Sequence, residues 1–309
     1  MKTILFSILI TTKNRREDLS LTLRKIQHLL QREDVECCIY DDGSIDDTFD
    51  FVKNNYPQIK LQRNENSKGY LYCRNVLLQH TTAAYAISLD DDAHFVTENP
   101  LESIKKYFTQ NPNCAVIALR IFWGLNLPEN RNCDEVAIPV QGFVGCGHVW
   151  RMDAWHSIVA YPEWFEFYGE EDFAAYHLFK KKWFVHYLPE VLVQHRVALQ
   201  LRKNKTDYSS RLRNSLSSGW YLLFMFTPIY LIPRKFIFSV WKQVQLKIFK
   251  GDKMALKALL LAIFDLICAL PKILKGSNRL SKKEFLLYQK LPKTKTYWTP
   301  NEVNLVENQ

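Results

Sequence analysis

Asp90-Asp91-Asp92 sets three carboxylates side by side, directly after the apolar run Tyr85-Ala86-Ile87, which reads as the end of a buried strand. Like charges at that spacing repel, so the cluster is costly unless a cation or a full set of hydrogen bonds offsets it. Mg2+ and Mn2+ take oxygen ligands and often share them with a diphosphate. The triplet is therefore expected to hold a divalent ion together with a phosphorylated ligand. The same residues would otherwise form a solvated acidic loop that caps a helix. Thr11-Thr12, Asp41-Asp42 and Glu170-Glu171-Asp172 are further polar clusters, and His195 follows another apolar run.

The elements that must position these groups alternate. Ile4–Thr11 reads as a buried parallel strand, apolar and without alternation. Asp18–Leu30 carries apolar residues at helical spacing, and Glu36–Tyr40 is a second strand. Asp46 or Asp47 can cap a helix through Phe49, Phe51 and Val52. Ile59–Arg63 is a strand, Tyr70–Gln79 a helix and Tyr85–Leu89 a strand. Such alternation implies an α/β fold, a parallel sheet with helices on both faces. Ligands of open α/β sheets bind beyond the carboxyl ends of the strands, where Thr11-Thr12, Asp41-Asp42 and Asp90-Asp91-Asp92 all stand. Further on, Ala115–Ile121, Val136–Val140 and Phe143–Trp150 read as strands. Gly142, Gly145 and Gly147 fit either close approach to a ligand or ordinary bulges. The aromatic stretch Phe165–Tyr168 leads into Glu170-Glu171-Asp172 and a helix, Phe173–Lys181. Two short strands follow, Val185–Leu188 and Val191–Gln194.

With 309 residues, 47% hydrophobic and 14% aromatic, the chain can bury a sizeable core, which argues against global disorder. The formal net charge of +9 suggests an anionic partner. Acidic residues are plentiful up to Asp172, whereas Lys and Arg dominate beyond Arg196. The seven cysteines lack a Cys-x-x-Cys and lie mostly in apolar runs, so reduced buried thiols and a cytoplasmic setting are expected. The apolar N-terminus, Met1–Ile10, reads as a first core strand and not as a signal peptide. No run reaches the roughly 18 uninterrupted apolar residues of a spanning helix.

Taken in order, these segments resemble glycosyltransferase family 2, whose fold is GT-A. The resemblance rests on Thr11-Thr12-Lys13-Asn14-Arg15, Asp41–Thr48, Asn66-Ser67-Lys68-Gly69 with Arg74-Asn75, the Asp-x-Asp element Asp90-Asp91-Asp92, and Glu171-Asp172. It implies an inverting nucleotide-sugar-dependent transferase, a hexosyl- or deoxyhexosyltransferase. Thr11 and Asp41 would hold the nucleoside of a UDP-, dTDP- or GDP-sugar. Arg74 and Lys68 would help hold that half or the diphosphate. Asp90 and Asp92 would form the Mn2+ or Mg2+ site with Asp92 the direct ligand, Asp91 would lie nearer the ribose, and His195 would be a second ligand or a structural residue. Asp172 would be the general base, unless it only caps its helix, and Glu171 would orient the base or an acceptor hydroxyl. Trp150 and Trp164 would be sugar platforms or core residues.

The resemblance makes residues 1–205 a GT-A catalytic domain, with 1–95 as its nucleotide-binding half and 96–205 as its acceptor-binding half. Residues 206–293 then form a basic amphipathic helical extension, and 294–309 a loosely ordered tail. In the extension, Ile237, Val240, Trp241, Val244 and Ile248 share helical spacing, as do Leu256, Leu259, Leu260, Ile263, Phe264, Ile267 and Leu270, among many lysines. Such helices suit an anionic membrane surface, here the cytoplasmic face, or alternatively packing on the catalytic domain or in a homodimer. The acceptor is expected to be a glycan or lipid-linked hydroxyl in surface polysaccharide biosynthesis, and no nucleic-acid partner is expected. A catalytically silent nucleotide-binding scaffold and a basic nucleic-acid-binding module are the competing classes. A nucleotidyltransferase would need a Gly-rich, Lys-containing loop after the first strand, and none stands there.

Overall fold

A computed structural model describes residues 4–165, 168–197 and 208–300. Glu166 and Phe167 of the aromatic stretch, the boundary expected at 205/206 and the end of the tail lie outside the described residues. The strands are β1 (Phe6–Thr12), β2 (Val35–Asp41), β3 (Lys60–Arg63), β4 (Tyr85–Asp90), β5 (Ala93–Phe95), β6 (Cys114–Trp123), β7 (Ile138–Val140), β8 (Gly147–Arg151) and β9 (Phe184–His195). The helices are α1 (Arg16–Lys25), α2 (Gln27–Leu30), α3 (Thr48–Asn55), α4 (Tyr70–His80), α5 (Pro100–Gln110), α6 (Met152–His156), α7 (Glu170–Lys180), α8 (Tyr208–Phe226), α9 (Ile232–Leu246), α10 (Lys253–Gly276) and α11 (Lys282–Lys290).

One mixed sheet runs in the order β3-β2-β1-β4-β8-β6-β9-β5, with β7 paired to β9. The first four strands pair in parallel. β1 sits second from the inner end of that half and is buried along nearly its whole length, as its unbroken apolar run requires. β8 then enters antiparallel to both β4 and β6, so the parallel character belongs to the first half. The two strands expected over 185–194 are one, β9, whose register against β6 shifts between Leu119 and Arg120 where Pro189-Glu190-Val191 bulges. Val136–Val140 shortens to β7 and Phe143–Trp150 to β8.

The sheet buries a core on each face. One core joins β1, β2, β4 and β6 to α1 and α5 through residues such as Ile8, Ile10, Leu23, Ile87, Ile104 and Phe108. The other joins the opposite face to α4, α6, α7, α8 and α10. Trp150 lies wholly inside that second core, packed on Trp155 and Tyr161, so it is no sugar platform. Trp164 packs against Phe165 and Tyr221. All seven cysteines are free thiols; four are buried, while Cys268 is exposed.

The extension is helical and continuous with the second core. α8 and α10 pack together, and Arg213 grips Asp265 with two bonds of 2.6 and 2.5 Å. α10 is, by length and composition, long and apolar enough to cross a membrane, which the interrupted apolar runs of the sequence do not suggest. Residues 294–300 differ from the loose tail expected. Trp298 is buried, its N–H donates to the Ile121 carbonyl at 2.7 Å, and it bridges to Phe122 beside β6.

One turn fixes where the first half of the sheet ends. Asp42 accepts bonds from Asn64 Nδ2, Lys68 N, Ser67 Oγ and Gly69 N between 2.6 and 2.9 Å, tying β2 to the start of α4. Burial alone would raise its pKa, but these donors more than offset that and hold it below its ordinary value of 3.8. A depressed carboxylate contributes stability above its unfolded pKa and loses it as pH falls through the folded value. Replacing Asp42→Ala is expected to cost about 2–4 kcal/mol at neutral pH. It should also flatten the acid limb of stability below pH 3.8, both measured by urea unfolding across pH.

Candidate active site

The carboxyl ends of β1, β2 and β4 lie side by side: Thr11 pairs with Asp90, and Thr12 with Asp41. There the three consecutive aspartates take three different environments. Asp90 is half-buried and accepts a bond from Arg74 Nη2 at 2.7 Å. Asp91 turns into the protein: Thr12 Oγ1 donates to one oxygen at 2.8 Å and Arg15 Nε meets the other at 2.9 Å. Burial pushes Asp91 up to about 7, against the pull of Arg15. Each of its oxygens is thus engaged once by protein. Asp92 meets Arg15 Nη2 at 2.6 Å and His195 Nε2 at 3.0 Å. Burial opposes its ionisation, but the His195 bond, then the His195 and Arg15 charges, hold its pKa low.

His195 ends β9, the fifth strand after β4 in chain order, yet it joins this cluster. Ligand atoms of Asp90, Cys146 and His195 lie within 4.8 Å of one another. Burial drives the Cys146 thiol pKa well up, so it stays protonated and is a poor ligand. The remaining donors are carboxylate oxygens and an imidazole, and His195 Nδ1 is buried without a partner. That set fits a hard or borderline divalent ion such as Mn2+ or Mg2+.

The second acidic turn opens α7. Gly169, with φ of +93°, supplies the left-handed residue before the helix. Asp172 stands inside the first turn and makes no side-chain cap bond, so the capping role does not account for it. Its side chain is exposed, yet nearby protein strips part of its hydration, and this desolvation, then the Glu170 charge, push its carboxyl up to about 6. Glu171, half-buried, is raised well above its ordinary range, first by burial and then by Glu170. The backbone crowds both acids. A Cβ at Gly145 would collide with Glu171 Oε1, and one at Gly142 would stand 3.2 Å from Asp172 Oδ1. These glycines thus approach the site's own acids.

Arg74 joins the two halves. While Nη2 holds Asp90, Nη1 meets Glu170 Oε1 at 3.1 Å, and Tyr70 Oη donates to the same oxygen at 2.9 Å. Arg74 therefore fastens the aspartate cluster to the α7 turn, a role apart from the nucleotide contact expected of it. Neither Glu170 nor Arg15 carries a role in the sequence motifs above; their partners, Arg74 for the one and Asp91 with Asp92 for the other, lie far along the chain. A basic residue just after β1, facing an acidic triplet, was the available signal for Arg15.

Asp41 is fully buried; Ser44 N and Oγ both bond its Oδ1, while Oδ2 has no hydrogen-bond partner and lies 3.5 Å from Arg63 Nε. Lys68 Nζ lies 4.6 Å over the Tyr72 ring, and the residue's backbone N–H serves Asp42.

A parallel half-sheet with acids at its carboxyl edge, extended by antiparallel strands, is the architecture of GT-A glycosyltransferases. GalNAc-T7 with UDP, GalNAc and Mn2+ superposes with a TM-score of 0.58 at 13% identity, over 87% of this chain and 58% of that one. The mannosyltransferase PcManGT from Pyrobaculum calidifontis, in complex with GDP-Man and Mn2+, gives 0.53 at 14% identity, over 92% and 78%. TarS of S. aureus gives 0.53 at 16% identity, over 71% of this chain but only 40% of its own length. A search of curated proteins found no match. The family description "Glycosyl transferase family 2" matches residues 7–166, just over half of the chain. The protein belongs to that family.

Removing Arg74 leaves Glu170 buried with an uncompensated charge. Arg74→Met is expected to destabilise the protein by about 3–5 kcal/mol, and the double variant with Glu170→Leu by less, in a double-mutant unfolding cycle. Simple additivity would show that the bridge carries no coupling.

Proposed function

We propose that this chain transfers a sugar from a UDP-, dTDP- or GDP-sugar to a hydroxyl of a glycan or lipid-linked acceptor, with inversion, in surface polysaccharide assembly. The observation that carries this reading is the Arg74 bridge, which sets an O/N metal-binding cluster against a turn holding a carboxylate tuned to about 6. In this reading residues 1–95 serve the nucleotide and residues 96–205 the acceptor.

Asp90, Asp92 and His195 would hold Mn2+ or Mg2+; when bound, the ion offsets charge on the departing diphosphate. The solved mannosyltransferase and GalNAc-T7 both contain Mn2+ together with a nucleotide or nucleotide-sugar. Asp41 Oδ2, a buried acceptor without a hydrogen-bond donor, suits a nucleoside N–H or O–H, with Thr11 and Lys68 alongside. Arg15 and Arg74 hold the aspartates in place and keep positive charge near the diphosphate.

Asp172, as carboxylate, takes the proton from the acceptor hydroxyl. The freed oxygen bonds to the anomeric carbon from the face opposite the breaking bond to the diphosphate oxygen, which leaves with that electron pair. Glu171, whose proton affinity burial raises, stands beside Asp172 and would orient the acceptor hydroxyl.

α9 and α10 expose Ile237, Phe238, Trp241, Leu260, Phe264 and Ile267 in a basic stretch containing Lys235, Lys242, Lys247, Lys250 and Lys257. We read this as contact with an anionic membrane at its cytoplasmic face.

Asp172→Asn is expected to lower kcat about 10²–10⁴-fold while nucleotide-sugar binding survives. Because Asp172 acts only when deprotonated, wild-type turnover should climb with pH through about 6, and this limb should vanish in the variant. Full activity of Asp172→Asn would remove the base assignment. In liposome flotation the protein should rise with anionic vesicles, and Trp241→Glu with Phe264→Glu should leave it in the pellet fraction. Failure to float with any vesicle would end the membrane part.

A further inference from the structure

After its helical extension the chain returns to Asp172. Gln141, next to Gly142, closes the end of α11. Its Nε2 donates to the Leu291 carbonyl at 3.0 Å, and its backbone N–H donates to the Pro292 carbonyl at 2.9 Å. Tyr288 Oη donates back to the Gln141 carbonyl at 2.5 Å. The Tyr288 ring packs 4.7 Å from that of Tyr176, one helical turn beyond Asp172 on α7. Burial, then Tyr176 and the Asp172 charge, push the Tyr288 pKa up, in keeping with a ring near that carboxylate. Downstream, Lys295 pairs with Glu135, and Trp298 N–H donates to the Ile121 carbonyl at 2.7 Å. Thr294 is held between these two anchorages.

A Cβ at Gly142 would stand 2.8 Å from Thr294 Oγ1 and 3.2 Å from Asp172 Oδ1. Each oxygen is thus about one hydrogen-bond length from a common point, and no more than about two such lengths part them. One ligand oxygen can therefore reach both. Thr294 is half-buried and Asp172 exposed. Among the described residues, neither side chain has a hydrogen-bond partner in the protein. A ligand hydroxyl fits between them: its proton points to the carboxylate, and one of its lone pairs accepts from the Thr294 O–H.

We propose that Thr294 is an acceptor-positioning residue, its hydroxyl donating to the same acceptor oxygen whose proton Asp172 takes. The proposal rests on the transferase reading above. With the proton and one lone pair of that oxygen fixed, its remaining lone pair has a set direction, towards the anomeric carbon. As that lone pair forms the new bond, the proton passes to Asp172. The bond to the diphosphate oxygen breaks, and its electron pair leaves with that oxygen. The family match ends at residue 166, so this contact comes from the chain beyond it. The segment after α11 thereby takes part in presenting the acceptor.

Water can occupy the same place, so the test uses water as the acceptor. The full chain with Mn2+ is offered UDP-glucose, UDP-galactose, UDP-N-acetylglucosamine, dTDP-glucose and GDP-mannose. Thermal shift reads binding, and release of the nucleoside diphosphate reads hydrolysis. At least one donor should bind and be hydrolysed. Thr294→Val should then lower kcat about tenfold at an unchanged donor KM, and Thr294→Ser should restore it, since the hydroxyl makes the contact. Should Thr294→Val fail to fold, Thr294→Ala takes its place in the comparison. An unchanged kcat in the variant without the hydroxyl would overturn the role. So would a loss that Thr294→Ser shares, which would follow packing and not the hydroxyl. Donors that bind without any being hydrolysed would overturn it as well. If no donor binds, the transferase reading falls, and this role with it.

Discussion

The structure depends on keeping several carboxylates ionised or poised within one partly buried cleft. Asp90, Asp91, Asp92, Glu170, Glu171 and Asp172 meet there, and mutual repulsion would open the fold if nothing opposed it. Two arginines do. Arg15, just after β1, spans Asp91 and Asp92, while Arg74, on α4, spans Asp90 and Glu170. Each guanidinium binds two acids at once because its planar fork presents several donors in fixed directions. A lysine in either place would present its donors from a single nitrogen and could not hold both carboxylates in this geometry.

This compensation is uneven, and the unevenness supports the roles proposed for these acids. Asp92 is held low by His195 and Arg15, as suits a ligand that must stay charged. Asp172 has no cationic partner among the described residues that pulls its pKa down, and it sits near 6, as suits the base proposed for it. Glu170 supplies part of that upward push. The third acid of the turn thus acts on its neighbour's proton affinity and grips Arg74 as well. Gly142 and Gly145 let the backbone lie against these acids, where any side chain would displace them.

The helical extension has two chemistries on one pair of helices. Ala255, Ala258, Ala262 and Leu266 of α10 are buried against α8, while Leu260, Phe264 and Ile267 face outward. Exposed aromatic and aliphatic side chains in such number exceed the scattered apolar residues of an ordinary surface. The Arg213–Asp265 pair locks the two helices in register, so the outward face is presented as one rigid patch. The chain then returns through α11, capped by the reciprocal Ser281 and Glu284 bonds, to the far edge of the sheet.

Much was legible before any coordinates. The apolar runs of β1, β2 and β4, the helices between them and the polar clusters at their ends follow from local periodicity, which a linear chain carries in full. The ordered motifs identified the family. Some local signals went unread: Asn99-Pro100 opening α5, and Ser281 three residues before Glu284 opening α11. Other features had no local signal. Asp90, Asp91 and Asp92 are identical in type and adjacent, yet one faces Arg74, one is turned inward onto Thr12 and one meets His195. Nothing nearby in sequence separates them, because their partners arrive from residues 12, 15, 74 and 195. The same holds for Trp298, an apparent tail residue that docks on β6. Sequence alone determined which groups stand at the ends of which strands, since that depends on backbone alternation. Tertiary structure decided which carboxylate is charged, which is poised and which merely braces, since that depends on burial and on partners far along the chain.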